Sequence, residues 1–477
     1  MTSFEDLAQL LIKNVPPSIT PDYVRPVCIV KGDFYTMGRQ YGRELKQIIY
    51  ANLLHNLARL NAIWPDKSRL FEELKRYEAA VLAVSPDSIS MWQGIADGAG
   101  LPYEAAAIYC CYIALAKGPS EGCSTISAYG SACKEGGLIA AANADSFSFT
   151  PTSYSPTLVM YPERGNAVIA NGGICSNLCL NEKGMIVMAS AGGYNGRKED
   201  TGIGIPGVLS TLMLSWKYDL APQAAGEAAR VFTADAENLH CADPDNGSYV
   251  IERTACCIHT RRPGDHGERN FLVATNHFIS SEMQASRPED DSRCHNSYSR
   301  FATEMKVMQG RYGQLTLKEL SKVITMADRY DGENWYRNEW DDEKSYWTPE
   351  KRGPYNKTYM QCLASSEKQE FYMIQGQSCT ASSAVPYSTG IFSKLKLEKV
   401  PAALTAAAEK EATDRLFAQV KNRFDGSLDE AKARIWEGRN YAAMANLASS
   451  EEEAMSFYGK AATAFCKAQA LTGIVFY

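Results

Sequence analysis

Along residues 36–62, TMGRQYGRELKQIIYANLLHNLARLNA, apolar positions recur at three and four with few breakers, which is the spacing of a helix with one buried face. Residues 67–83 and 86–97 repeat that period, and DGAGLPYEAAAIYCCYIALA reads as a glycine stop, a Pro-Tyr restart and another apolar helix. The chain up to residue 120 is therefore expected to be mostly helical. At Cys123 the character changes. CSTISAYGS, GLIAAANADSF, TLVMYP, AVIANGG, GMIVMASAGG, SYVIERTACCIHT and FLVATNHF are short β-rich runs parted by Gly, Asn and Asp turns. Helical spacing returns around 205–218, 219–232 and 299–311 and in LTLKELSKVITMA, followed by two further strands, YMQCLASS and EFYMIQG.

The order of helices, strands, a helical pair and strands again, with no alternating βαβ unit, predicts layers of helix and sheet in an α+β or αββα arrangement. Residues 331–359 hold three tryptophans and four tyrosines among charges and two prolines. That stretch is either a long surface loop or a lid that walls a substrate. Beyond Pro401 the chain is rich in Ala, Glu and Lys and reads as two or three helices to residue 472, suited to packing or self-association.

Composition narrows the functional classes. The 477 residues are 45% hydrophobic and 22% charged, which is ordinary for a globular chain able to bury a large core. A net charge of −6 argues against nucleic acid as a partner, since no basic stripe is available for phosphates. MTSFEDLAQLLIKNVPP has acidic residues where a secretory signal needs basic ones, and no run approaches the roughly 20 apolar residues that span a bilayer. A cytoplasmic location without membrane attachment is the expectation. The fourteen cysteines lie in apolar segments without CxxC spacing, and the six histidines show no HExxH, so no metal site is expected.

Candidate chemistry centres on GPSEGCSTISAYGS, residues 118–131. A thiol attacks a carbonyl well when it is deprotonated in place and the oxyanion meets donors. No histidine lies in that strand region to act as base. If the backbone were cut before Cys123, the α-amine of Cys123, with an ordinary pKa of about 7.7–8.0, would become the base. Gly122 offers the least hindered carbonyl for the attacking sulfur. Gly130 follows at seven, Gly136 and Gly137 mark a hairpin, and Asn143 and Asp145 stand at +20 and +22, where a returning strand would bring both back beside Cys123.

Gly122-Cys123-Ser124, Gly130, Gly136-Gly137 and Asn143-Ala144-Asp145 together resemble the pattern of the acyl-coenzyme A:isopenicillin N acyltransferase-like family, which are autoproteolytic cysteine N-terminal-nucleophile (Ntn) hydrolases. The resemblance runs from about residue 30 to 390 and includes DFYTMGRQYGRELKQII, QGIADGAGLPYEAAA, NEKGMIVM, GIGIPGVLSTLML and ATNHF. It implies a four-layer αββα sandwich in which residues 1–122 form a mainly helical segment, 123–400 the catalytic core and 401–477 a helical extension. It further implies self-cleavage between Gly122 and Cys123, with Cys123 as nucleophile, Asp145 as a buried acid near the new amine, and Asn276 as a side-chain donor to the oxyanion. Asn143, Ser299 and Arg300 would shape the substrate site. Ala142 stands where related bile-salt-type hydrolases carry an arginine, so that cation is missing here.

The implied reaction is formation of a thioester at Cys123 from a small amide such as an N-acyl amino acid or peptide, followed by hydrolysis or transfer. No cofactor is implied, although an acyl-coenzyme A is a possible acyl donor. The partners implied are a small acyl or amide substrate and the chain's own two fragments as a heterodimer, with a homo-oligomer left open. Two other readings stay open: an uncleaved, non-catalytic scaffold, and a thioesterase or lipid-acyl hydrolase on the same machinery.

Overall fold

The structure, a computed structural model, describes residues 2–15, 27–116, 121–146, 156–192, 204–231, 233–286, 295–324, 329–330, 335–336, 338–341, 346–349, 358–374, 392–397 and 427–472. The N-terminal part is helical, as the periodicity predicts. It comprises α1 (Phe4–Asn14), α2 (Phe34–Glu44), α3 (Lys46–Ile63), α4 (Lys67–Val84), α5 (Pro86–Ala99) and α6 (Tyr103–Leu115). Side chains cap most of these starts: Ser3 with Asp6 for α1, Asp33 for α2, Asp66 for α4 and Ser85 for α5. The single helix expected over 36–62 is two helices that meet at Leu45, whose backbone leaves helical geometry at φ −104° and ψ 17°.

Helices α2 and α5 pack backbone to backbone. Gly38 and Gly42 on one face Gly94 and Gly98 on the other, and a Cβ added at Gly38 or Gly94 would stand 2.1 Å from the carbonyl oxygen of Met91 or Tyr35. Helix α1 and one strand of this region escaped the sequence reading. Residues Val27–Gly32 form a strand, β1, in which four apolar or half-apolar positions are too few to register as periodic.

The remaining strands are β2 (Glu121–Tyr129), β3 (Leu138–Ser146), β4 (Thr157–Pro162), β5 (Val168–Asn171), β6 (Leu178–Asn181), β7 (Ile186–Ala191), β8 (Glu237–Asp243), β9 (Gly247–Arg253), β10 (Ile258–Arg261) and β11 (Phe271–Ala274). Short pieces β12 (Arg329–Tyr330), β13 (Trp335–Tyr336), β14 (Asn338–Asp341) and β15 (Tyr346–Pro349) pair as two small ladders. The chain continues with β16 (Thr358–Ser365), β17 (Glu370–Ile374) and β18 (Phe392–Lys396). Side chains of the aromatic stretch at 331–359, read from the sequence as a surface loop or a lid, lie outside the described residues, as do residues 401–426 of the C-terminal tail.

Two sheets result. The larger has the order β1-β4-β5-β6-β7-β8-β9-β10, antiparallel except that β1 lies parallel to β4. The smaller has the order β11-β2-β3-β16-β17-β18 and is antiparallel throughout. Helices α7 (Gly207–Lys217) and α8 (Ala221–Ala228) lie on the larger sheet, and α9 (His295–Gly310) and α10 (Leu317–Val323) on the smaller. Helices α11 (Ser427–Leu447) and α12 (Glu451–Thr472) pack on each other, and α11 lies on α3 through His55–Asn440 (2.8 Å) and a bond from Asn61 to the Asn446 carbonyl (2.7 Å).

Three buried clusters hold these elements together. The first joins Met37, Leu54, Ile95 and Ile108 of the helices to Leu158, Ala170 and Val187 of the larger sheet. The second joins Val159, Ile169 and Met188 of the larger sheet to Ala140, Ala142, Cys362 and Phe371 of the smaller. The third joins Ile126, Ala141 and Val273 of the smaller sheet to Met305, Met308 and Leu320 of α9 and α10. The period-2 alternation of β2 and β3 thus points one set of side chains between the sheets and the other toward α9 and α10. No helix among the described residues is long and apolar enough to cross a membrane.

Candidate active site around Cys123

Strands β2 and β3 form the hairpin anticipated from the glycines. Gly130, Gly136 and Gly137 have φ of 53°, 72° and 67°, the left-handed region that glycine reaches without strain, and the Gly130 N–H donates to the Gly137 carbonyl at 3.1 Å. The register sets Gly122 opposite Asp145, Cys123 opposite Ala144 and Ser124 opposite Asn143. Directly opposed residues share a face. Cys123 and Ala144 therefore point between the sheets, and Asn143 turns with Ser124 toward α9. Asp145 is beside Gly122 in the backbone ladder, and its side chain lies outside the described residues.

The groups around Cys123 address its backbone. Asn276, in the turn after β11, accepts the Cys123 N–H through Oδ1 at 2.8 Å. Arg300, on α9 and 1% exposed, donates through Nη1 to the Cys123 carbonyl and to Ser124 Oγ (2.8 Å), and through Nη2 to the same Asn276 Oδ1. One buried cation thereby grips the peptide on the C-terminal side of the thiol and the side chain that holds its nitrogen. The thiol residue is itself 9% exposed.

Asn276 Nδ2 donates to the Ala191 carbonyl at 3.0 Å. The donor that the resemblance assigns to the oxyanion is thus occupied in this conformation, and the acceptor end of the carboxamide faces Cys123. Asn143 is fully buried: its Oδ1 accepts the Ser124 N–H at 2.6 Å, and its Nδ2 donates to the Ile324 carbonyl at 3.3 Å. Both ends of that carboxamide brace backbone, so Asn143 stiffens the strand that carries the thiol. Ser299 precedes Arg300 on α9 and is half-buried.

Sequence reasoning missed what supports Asn276. Ser297 Oγ accepts the Asn276 N–H at 2.7 Å and lies 2.7 Å from His277 Nδ1. Ser297 and Arg300 are three apart on one helix, so they share a face, a spacing already legible in HNSYSRF. Asn238 on β8 and Ser190 on β7 also donate to the Thr275 carbonyl, each at 2.8 Å, a contribution with no sequence signal because it depends on the larger sheet passing behind the turn.

Several other thiols of the interior, and His240, are tuned away from reactivity. Burial pushes the thiols of Cys175 and Cys241 up to about 12 and that of Cys179 up to about 11. They behave as small apolar side chains. His240, between the sheets against Ser127 Oγ (2.8 Å) and Thr125 Oγ1 (3.3 Å), is pulled down to about 3 by burial and then by Arg261. It stays neutral and is no general base at ordinary pH. Among the described residues no cluster of three or more His, Cys, Asp or Glu is placed to hold a metal ion.

No protein-family profile matches the chain, and no curated protein matches it. Solved structures with some likeness include penicillin V acylase from Agrobacterium tumefaciens, at 8% identity over 59% of this chain and 80% of that one, with a TM-score of 0.30. A mutant of conjugated bile acid hydrolase from Clostridium perfringens is 13% identical over 58% of this chain and 97% of that one, with a TM-score of 0.35. A second variant of the same hydrolase is 12% identical over 54% and 81%, with a TM-score of 0.28. Likenesses at these scores establish neither fold nor activity.

Proposed function

We propose that the chain is an amide-hydrolysing enzyme of the Ntn type, an αββα sandwich that cuts itself before Cys123 and then uses the freed cysteine as nucleophile. The three buried clusters separating four layers support the fold. The observation that carries the chemistry is that polar groups converge on the nitrogen and carbonyl of Cys123: Asn276 on the first, Arg300 on the second. A cysteine that served only as a core thiol would have no need of a buried guanidinium on its carbonyl, since desolvating that charge is costly unless it is well used.

In the cut, Cys123 Sγ attacks the Gly122 carbonyl carbon, the bond to the Cys123 nitrogen breaks, and that nitrogen keeps the thiol proton. Water then hydrolyses the thioester, leaving a carboxylate on Gly122 and a free thiol with an adjacent amine. In turnover the amine takes the thiol proton, Sγ attacks the substrate amide carbonyl, and the proton passes to the leaving amine as the C–N bond breaks. Water or a second amine resolves the thioester. Asn276 Oδ1 holds the amine on target, and Asp145 is assigned to orient it from the Gly122 side. For Asn276 Nδ2 to serve the oxyanion, the carboxamide has to turn away from Ala191.

Intact mass of freshly purified protein, compared with a Cys123→Ala variant, tests this. Two species that part between Gly122 and Cys123, absent from the variant, are expected. One full-length mass in both would remove the α-amine base and with it the reading.

A further inference from the structure

Asn276 sits in a turn, and a turn residue aims a side chain accurately only if its backbone is fixed from outside. Three buried side chains do so here. Asn238, fully buried on β8, donates through Nδ2 to the carbonyls of Thr275 (2.8 Å) and His277 (3.3 Å), the residues on either side of Asn276. Ser190 on β7 donates to the same Thr275 carbonyl at 2.8 Å. Ser297 takes the Asn276 N–H at 2.7 Å and donates its own hydroxyl to Thr275 Oγ1 at 2.9 Å. Further along, Glu252 accepts the N–H groups of Ile279 (3.0 Å) and Ser280 (3.1 Å) and is itself paired with Arg261.

Asn238 also carries a cost. Its Oδ1 is buried with no hydrogen-bond partner among the described residues. An orphaned buried acceptor is destabilising; an apolar residue of the same shape would remove it, but would also withdraw the donor from the Thr275 and His277 carbonyls. What the asparagine supplies at this position is therefore the forked donation across residue 276, made at the expense of an orphaned Oδ1.

We infer that Asn238 is a positioning residue for the nucleophile. By clamping the carbonyls of Thr275 and His277 from the larger sheet, it fixes the backbone of Asn276 so that Asn276 Oδ1 meets the Cys123 nitrogen. The assignment rests on the Ntn reading above for its catalytic meaning, though the clamp itself does not depend on cleavage. Ser190 is its lesser partner, acting on one carbonyl from the neighbouring strand.

The test uses the full-length chain with Asn238→Leu, Ser190→Ala, Asn276→Ala and the double variant Asn238→Leu/Asn276→Ala. The readouts are the thermal midpoint, the rate at which an amide probe acylates Cys123, and exchange of the Cys123 amide hydrogen in uncut protein. Asn238→Leu is expected to keep its midpoint within a few degrees while acylation slows on the order of ten- to a hundredfold, the usual penalty for a misplaced catalytic group. Ser190→Ala slows it less. In the Asn276→Ala background Asn238→Leu should add almost nothing, since it acts through that residue. Full multiplication of the two effects, or a rate within twofold of wild type in Asn238→Leu, overturns the assignment.

If the wild-type chain neither cuts itself nor is acylated, the functional reading falls by itself. The clamp is then judged by exchange in the uncut chain. Asn238→Leu should speed exchange of the Cys123 amide about tenfold without speeding the β8–β9 ladder, and equal exchange in the two proteins overturns it.

Discussion

Replacing Arg300 with methionine removes a buried charge and keeps a side chain of similar reach. Two hydrogen bonds in series, from the Cys123 nitrogen to Asn276 Oδ1 and from Arg300 Nη2 to the same oxygen, put the guanidinium within about 5 Å of the nitrogen that the proposed cut would turn into the α-amine. With an effective dielectric of about 20, the cation opposes protonation of the amine by about 3 kcal/mol, or roughly 2 pH units. The cation would thereby hold the amine below its ordinary range and favour the free base at neutral pH. The assay is kcat/KM for an amide probe between about pH 5 and 9, whose acid limb reports the free enzyme's base. In Arg300→Met the limb should move up by about 1–2 units, costing on the order of ten- to a hundredfold at pH 6 and much less at pH 9. Arg300→Lys should fall between. An acid limb at the wild-type pH together with a raised KM would refute the electrostatic argument and leave Arg300 with the substrate-site role that the sequence pattern gives it.

Three other outcomes are expected. Gly94→Ala drives a methyl group to 2.1 Å from the Tyr35 carbonyl, so urea denaturation should show a loss of about 3 kcal/mol or more, and an unchanged midpoint would mean that α2 and α5 do not touch there. His240 has its folded pKa depressed from 6.5 to about 3, so its contribution to stability is present above pH 6.5 and is lost as pH falls toward 3. The unfolding midpoint of the wild type should drop across that window more steeply than that of His240→Gln, and equal slopes would contradict the burial. Brief alkylation of native protein should modify the exposed Cys256 and Cys466 well before Cys110, Cys111, Cys175, Cys179 and Cys241, as peptide mapping would reveal.

Helices α2 to α6 were legible as a helical stretch because the sequence carries local evidence for them: a sustained period, polar starts such as Asp66 and Ser85, and a restart at Pro102-Tyr103. The β2–β3 hairpin was legible for the same local reason, three glycines at positions that need positive φ. Strand β1 was not, because its six residues, with four apolar positions in a row, cannot display a period and its partner β4 lies far along the chain. At the candidate site, Cys123, Asn143 and Asp145 could be linked by hairpin geometry alone. That the side chains of Asn143 and Cys123 take opposite faces followed only from the register. Asn276 and Arg300 entered through short matched motifs, but their meeting on Cys123 depends on α9 crossing beneath β2, a tertiary event with no period in the sequence. Asn238 and Ser190 were invisible, since a polar residue on a buried strand looks the same whether it fills space or holds a turn.

Strand β1 lies before the candidate cut and completes a sheet whose other strands lie after it. Were the two pieces made from separate messages, the larger would be born with β4, Thr157-Leu-Val-Met-Tyr-Pro, as a bare apolar edge. Such an edge invites pairing with any other copy of itself. Production as one chain places the covering strand within reach before that edge is complete. Synthesis as a single precursor would therefore guard against aggregation, quite apart from keeping the thiol masked.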